Sequence, residues 1–523
     1  MNTTQIQGAQ GAPAPQVSQL PPEITVATLQ AAVLTAPATE PERSARLCDI
    51  AALAGTLSAI ECESVLNYMK NVTGMSIGAL RSEAAKSRRR GDDHLAHARN
   101  TIKAIGPENI LFAESHLWRW DGTVWRRRED IAVSQEVIAT LSASNEKITN
   151  ALVESVTGLI RKQTYLPDHQ FNIGCPEVVN TLSGELELTD QGWMQRPHRR
   201  EHYRTTLIPV PYDPAAQAPG FVTFLWAVFR DDHDAPDKIR AVLQLIGYSL
   251  MAHARHEKFV LLIGNGANGK SVLLRVIEAL VGRENVAGVK PSQFDSKWQR
   301  AHLHMKLANI VSELPEGKVI ADDELKAIVS GEISTVERKN RDPFDMRAFA
   351  TCWFGTNHMP HTRDFSDGLY RRAVIVPFNR QFADHEQDEQ LADKLIVELP
   401  GILNLALQHY AYATQHGFTL PASSITAREE WRREADQVRS FVAERCEMDP
   451  AGEITLAELY LNFENWARRS GVRNIVGKVQ FGKRIRGQGF GSKHNDGAWI
   501  TGLRWKPENG TNGTENSPRP GLV

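Results

Sequence analysis

The chain has 523 residues, with 60 Lys plus Arg against 62 Asp plus Glu and a formal charge of −2. That near-balance excludes a uniformly basic nucleic-acid-coating protein, so any nucleic-acid surface is local. The length is that of about three or four domains. No run of about 18 apolar residues and no signal-peptide pattern is present, which predicts a cytoplasmic protein with no membrane partner. Cys48, Cys62, Cys175, Cys352 and Cys446 are scattered without a CxxC pair, which argues against a disulfide framework or a zinc site.

Residues 1–40 are rich in Gln, Ala, Pro and Thr and are expected to be a disordered tail. Residues 41–105 turn helical and carry the basic stretch Lys86-Ser87-Arg88-Arg89-Arg90, which reads equally as a nucleic-acid contact or a solvated helix end. Residues 106–220 read as an α+β region. Within it, Asp121-Gly122 between two aromatic runs predicts a hairpin. Trp118, Trp120 and Trp125 beside Arg126-Arg127-Arg128 fit either a stacking surface for a single strand or, more simply, a tryptophan face packed on its own domain. Pro209, Pro211, Pro214 and Pro219 mark a linker, and helical patterns follow over 221–256.

The apolar run Phe259–Ile263 then leads into Gly264-Asn265-Gly266-Ala267-Asn268-Gly269-Lys270-Ser271, and a helical pattern follows. Strand, glycine loop and helix are the context that makes GxxxxGK[ST] a phosphate-binding loop. Glycines let backbone N–H groups turn toward phosphate oxygens, and the helix N-terminus adds partial positive charge. Lys270 can reach the β- and γ-phosphates of ATP, and the Ser271 hydroxyl can hold Mg²⁺. Ala308–Val311 continues into Ser312-Glu313, so Glu313 is the candidate to polarise water or help hold Mg²⁺.

A helix is expected over Asp322–Val329, followed by β-like runs flanking Arg338, Lys339 and Arg341. These cations can hold nucleic-acid phosphates in a pore, or they belong to an exposed charged hairpin without a ligand. Phe349–Thr356 is a buried-type strand ending at Asn357, which can hydrogen-bond the attacking water or the γ-phosphate. Arg371 and Arg372 precede another strand. Either can stabilise transferring phosphoryl charge from a neighbouring subunit, while the plainer reading makes one of them a salt-bridge partner.

Residues 401–437 read as a helical connector and 438–506 as a winged helix, with helices over Leu456–Ser470 and Val479–Gly487 and strand-like runs after Gly491. The second helix carries Lys478, Lys483, Arg484 and Arg486, a pattern suited either to the major groove of DNA or to protein docking. Residues 507–523 are expected to be disordered.

Taken together, Gly264–Ser271, Ala308–Glu313, Ser330–Arg341, Phe354-Gly355-Thr356-Asn357 and Gly368–Phe378 resemble the superfamily 3 helicases. More closely, they resemble the phage/plasmid primase-helicase group that includes the poxvirus primase-helicase. The resemblance spans roughly residues 110–505. It implies an α/β, AAA+ P-loop ATPase core over 221–400, working as a hexameric homo-oligomer on single-stranded and forked DNA. It also implies that Gly264–Ser271 is Walker A, Glu313 the Walker B acid, Asn357 sensor 1, Arg371 or Arg372 the arginine finger, and Lys339 part of a DNA-tracking hairpin. Ser312 departs from the Asp of many AAA+ proteins, which leaves open how Mg²⁺ is held beyond Ser271. About a hundred N-terminal residues without a cluster of metal-binding carboxylates are too few for the primase domain of larger relatives. No primase activity is expected, and a separate primase or other replication protein is an expected partner.

The sequence therefore reads as an ATP-dependent replicative helicase of a phage, plasmid or other mobile element, located in a bacterial host's cytoplasm in the phage or plasmid case. Two rivals differ in class. One is an origin-binding ATPase initiator without processive unwinding. The other is a P-loop small-molecule kinase, against which the basic hairpin and basic C-terminal helix argue.

Overall fold

The computed structural model describes residues 24–89, 94–143, 147–172, 174–362, 364, 366–470, 475–494 and 497–507. Two compact units emerge, one from residues up to 110 together with 129–165, the other from 111–128 together with 166 onward. No helix among the described residues is long and apolar enough to cross a membrane.

The first unit is helical. Val26–Leu34, Glu42–Ala54, Ala59–Thr73 and Ile77–Arg89 bury Leu29, Val33, Leu47, Ile50, Leu66, Met69 and Leu80 in one core. Ser58 and Glu61 form a reciprocal capping box at the start of the third helix, which ends on Gly74 with φ +74°. Two features differ from the sequence reading. Helix Val26–Leu34 lies inside the stretch expected to be a tail, held by a Thr25–Thr28 capping box and by Leu29 and Val33. Helices Asp130–Ser142 and Asn150–Gln163, read as part of 106–220, cluster instead with the N-terminal helices. The side chains of 86–90, and the ends 1–23 and 508–523, lie outside the described residues.

The second unit opens with two small antiparallel sheets. In one, His116–Trp120 pairs with Trp125–Arg128 beside Ile110–Ala113. Trp118 and Trp125 are buried, and their indole N–H groups donate to the carbonyls of Ala113 and Arg200. Those two tryptophans are therefore core, and the packing reading holds for them. The other sheet is the meander Val178–Thr181, Gly184–Thr189, Gly192–Arg196.

At the centre is a five-stranded parallel sheet. Its order is Ala373–Pro377, Phe259–Ile263, Thr351–Thr356, Ala308–Val311, Val286–Ala287. Both faces are covered, as all-parallel sheets require. Alternation along the strands sorts side chains to two cores. Val260, Leu262, Trp353, Val374 and Val376 meet helices Lys270–Val281, Ala235–Tyr248 and Leu399–His416. Phe259, Leu261, Phe354 and Ile375 meet Leu325, Ile328 and Trp431. The molecule is thus a mixed α/β protein built on a parallel sheet.

The C-terminal part packs helices Gln437–Arg445, Leu456–Arg469 and Lys478–Gly487 on a sheet ordered Cys446–Thr455, Ala498–Trp505, Gly491–His494. Phe441, Leu459, Phe463, Phe481, Ile485 and Leu503 form its core.

Candidate nucleotide site and nucleic-acid interface

Strand order brings the predicted site together. The glycine loop leaves the C-terminal end of Phe259–Ile263, a strand flanked by two strands that come much later in the chain. Ligands bind at such switch points in open α/β sheets. The adjacent strand Thr351–Thr356 ends at Asn357, and the next, Ala308–Val311, ends at Ser312-Glu313. Interposing the Asn357 strand sets that residue between the loop and the acid. The three strand ends open on one cleft of about 910 Å³.

Loop geometry depends on its glycines. Gly266 and Gly269 have φ +76° and +89°. At Gly264 a Cβ would strike Asn268 and the Phe378 carbonyl. Lys270 is buried at the first helical position, and its Nζ donates to the Gly264 carbonyl, to Asn268 Oδ1 at 3.3 Å and to Asn357 Oδ1 at 3.4 Å. Burial holds its pKa below the usual lysine value, and the Glu313 charge partly opposes that. Asn265, Gly266, Ala267, Ser271, Ser312 and Glu313 are exposed. The Ser271 hydroxyl and the Glu313 carboxylate line the same cleft as the lysine. Two protein oxygens with phosphates and water suit Mg²⁺, which is usually held by few protein ligands. No group of three or more His, Cys, Asp or Glu fit for a metal occurs among the described residues.

The cleft also contains residues the sequence reading did not single out. Phe224 comes from helix Pro219–Phe229, and Phe382, Lys394 and Glu398 come from beyond the last core strand. Glu398 accepts from the N–H groups of Gly220 and Phe221 at 3.0 and 2.9 Å, pinning that helix at the cleft wall. These residues lie far from the loop in sequence, so no spacing announces them.

The two arginines part company. Arg372 is buried, paired with Glu257 at 2.7 Å, and donates to Ser330 Oγ and the Gly368 carbonyl. Arg371 is exposed. Its carbonyl accepts from Lys258 at 3.0 Å, and its guanidinium makes no ion pair among the described residues. Arg372 is therefore spent within its own chain, and the pair reduces to one available guanidinium.

Strands Ile333–Val336 and Phe344–Arg347 pair antiparallel and carry the basic loop. Arg341 N–H donates to the Arg338 carbonyl at 3.0 Å, closing a turn with Asn340 at φ +60°. Lys339 and Arg341 are exposed. Arg338 is instead drawn to the stem, lying 4.6 Å over the Phe344 ring and donating to His304 Nδ1 at 3.1 Å. On helix Lys478–Gly487, Val479, Lys483 and Arg486 share the exposed face. Arg484 follows the Phe481–Ile485 buried stripe and lines a cavity with Arg439. Burial lowers its pKa, with Asp436 opposing. Of the two candidate DNA-binding residues Lys483 and Arg484, the first is exposed and the second half-buried, because neighbours on a helix lie about 100° apart.

Residues 100–230 match the family described as D5 N terminal like, and residues 262–372 match a family of unknown function, DUF5906. A protein of Acanthamoeba polyphaga mimivirus described as "Putative helicase L207/L206" is 23% identical over 292 residues. By these matches the chain is similar to phage/viral primase-helicase-like proteins. The mimivirus match covers 48% of this chain and 29% of the relative, so the chain spans under a third of that protein. Two solved structures of the NrS-1 C-terminal region are also similar. An A-form apo structure has 13% identity and a TM-score of 0.44 and covers 74% of this chain and 84% of its own. An apo structure of its residues 305–718 has 13% identity and a TM-score of 0.43 and covers 77% and 98%.

Proposed function

We propose that this protein is an ATP-driven DNA helicase acting in the replication of a phage, virus or plasmid-like element. The observation that carries the reading is the meeting of Lys270, Asn357, Ser271 and Glu313 at adjacent parallel strand ends, with a separate exposed hairpin bearing Lys339 and Arg341. The core is read as AAA+ and the C-terminal part as a winged helix, with residues 41–105 a helical N-terminal region. Lys270 and Ser271 with Mg²⁺ hold the phosphates, Glu313 activates water and Asn357 senses the γ-phosphate. Phe224 and Phe382 form the apolar side of the nucleotide cleft. Subunits assemble as a hexamer, Arg371 reaches the neighbouring site, and hairpin movement pulls one strand.

The deciding experiment measures ATP hydrolysis with and without single-stranded DNA, strand displacement on a fork, and solution mass. DNA-stimulated hydrolysis with displacement, lost in Lys270→Ala, supports the helicase. Stimulation without displacement moves the reading to an origin-binding initiator. Phosphate transfer to a small acceptor, indifferent to DNA, overturns both.

A further inference from the structure

We infer that a base-binding subsite lies at the root of the hairpin, where His116 accepts a hydrogen bond from one unpaired base of a single strand whose phosphate is held by Arg341. The inference rests on the helicase reading of the hairpin. It adds a residue from a different sheet and a preference for bases over bare backbone.

A cavity of about 680 Å³ separates the turn of the first small sheet from the hairpin, and Ser115, His116, Arg338, Asn340, Arg341 and Phe344 line it. His116 is 7% exposed. It follows Glu114 and Ser115, both at left-handed φ of 49° and 61°, in the two-residue connection between strands Ile110–Ala113 and His116–Trp120. The ring's Nδ1–H donates to the Glu114 carbonyl at 2.6 Å. In the neutral ring this makes Nε2 an acceptor. Nε2 is buried and has no hydrogen-bond partner among the described residues. Buried acceptors of this kind need a donor.

The ring stays neutral. Burial and Arg127, then Arg338 and Arg341, hold its pKa near 4, so at physiological pH the lone pair remains available. The ligand must therefore present an N–H or O–H donor to His116; Arg341 can take an anion beside it, while the carboxylates of Glu114, Asp342 and Asp345 in the same lining disfavour negative charge elsewhere in the cavity. Arg338 is committed to His304 and Phe344. Arg341 is exposed and left to meet the anion. A nucleotide unit supplies both features. Adenine and cytosine carry amino donors, guanine amino and imino donors, and thymine an imino donor. One neutral acceptor thus tolerates all four bases, as a sequence-independent motor requires. In a duplex the pairing-edge donors are already used, so the same acceptor favours single strands.

The test uses the full chain with a non-hydrolysable ATP analogue. Binding of a homothymidine strand is compared with binding of an abasic strand of equal length, which keeps the phosphates and removes the donors. His116→Phe is expected to weaken thymidine-strand binding about three- to tenfold, the loss of one buried hydrogen bond, with abasic binding unchanged. His116→Asn, which restores an acceptor oxygen, should recover part of the difference. Arg341→Gln should weaken both strands alike and lower the salt dependence. Equal loss of both strands in His116→Phe, or loss of neither, overturns the subsite. Failure of the wild type to bind either strand would instead sink the helicase reading with it, a result distinct from equal loss of both strands in His116→Phe.

Discussion

Neighbouring arginines with one chemistry have opposite environments. Arg372 is locked to Glu257, Ser330 and Gly368, so Arg372→Ala should destabilise the fold by roughly 1–3 kcal/mol, the cost of stranding buried partners. Arg371→Ala should leave thermal stability within about 0.5 kcal/mol while lowering ATP hydrolysis. Denaturant titration of both variants reads the difference, and equal stabilities would remove the reason for separating them. A second residue-scale expectation concerns acid. Burial, His256 and Arg255 push His253 down to about 3 from an ordinary 6.5. Its Nε2 and that of His256 each lie 3.2 Å from the Tyr410 hydroxyl. Below pH 6.5 the unfolded chain binds a proton that the folded ring refuses until about pH 3, so stability falls as pH falls through that window. The slope is at most about 1.4 kcal/mol per pH unit for this ring. His253→Gln should flatten the stability profile over that window, and an unchanged slope would assign the acid loss to other groups. At this scale Lys270, Ser271, Glu313 and Asn357 were legible because each stands at a fixed place relative to a strand end. Phe224, Phe382 and Glu398 were not, because folding alone brings them to the cleft.

Elements were legible where one period dominated. The central strands are short apolar runs bounded by turn or loop residues, and Asp322–Val329 is a helix over the expected residues. Cys446–Thr455 was missed because its middle reads Asp-Pro-Ala-Gly, a turn by composition. The structure keeps it as one strand with a register shift between Met448 and Glu453. Helix Val26–Leu34 was missed because its Ala and Thr content resembles a tail until Leu29 and Val33 find partners. The course of that strand decides where a deletion can be made. A cut after Asp449 would sever that strand and expose Phe441. A cut after Ala435 removes helix Gln437–Arg445 with the rest of its core. The second truncation should keep basal ATP hydrolysis and weaken duplex binding, because Val479, Lys483 and Arg486 go with it. Duplex binding as strong as that of the full chain would make that helix a protein-docking surface. For the hairpin, Lys339→Ala should reduce unwinding far more than basal hydrolysis and lower the salt slope of strand binding by about one phosphate contact per engaged subunit. Unwinding at the wild-type rate would move the tracking role to Arg341.

The whole-molecule question is whether one chain holds a complete site. Within a chain, Lys270, Ser271, Glu313 and Asn357 converge, whereas the exposed guanidinium of Arg371 has no ion-pair partner of its own among the described residues. A ring in which Arg371 serves the next subunit makes a definite prediction. Lys270→Ala and Arg371→Ala should each be inactive alone, since one loses the phosphate cation and the other the charge that stabilises transfer. Mixed in equal amounts, an interface works when the Arg371→Ala subunit supplies the loop and the Lys270→Ala subunit supplies the arginine. Random assembly makes about one interface in four intact, so some hydrolysis should return, less when neighbouring sites must fire together. Arg371→Ala serves here because, unlike Arg372→Ala, it should not disturb the fold. If the arginine acts within its own chain, every site lacks one group and nothing returns. The double variant Lys270→Ala/Arg371→Ala mixed with wild type controls for dilution, and mass measurement on differently tagged subunits verifies that mixed rings have formed. With mixing verified, absence of any recovered hydrolysis would argue against an arginine supplied between subunits, and with it against the shared-site ring.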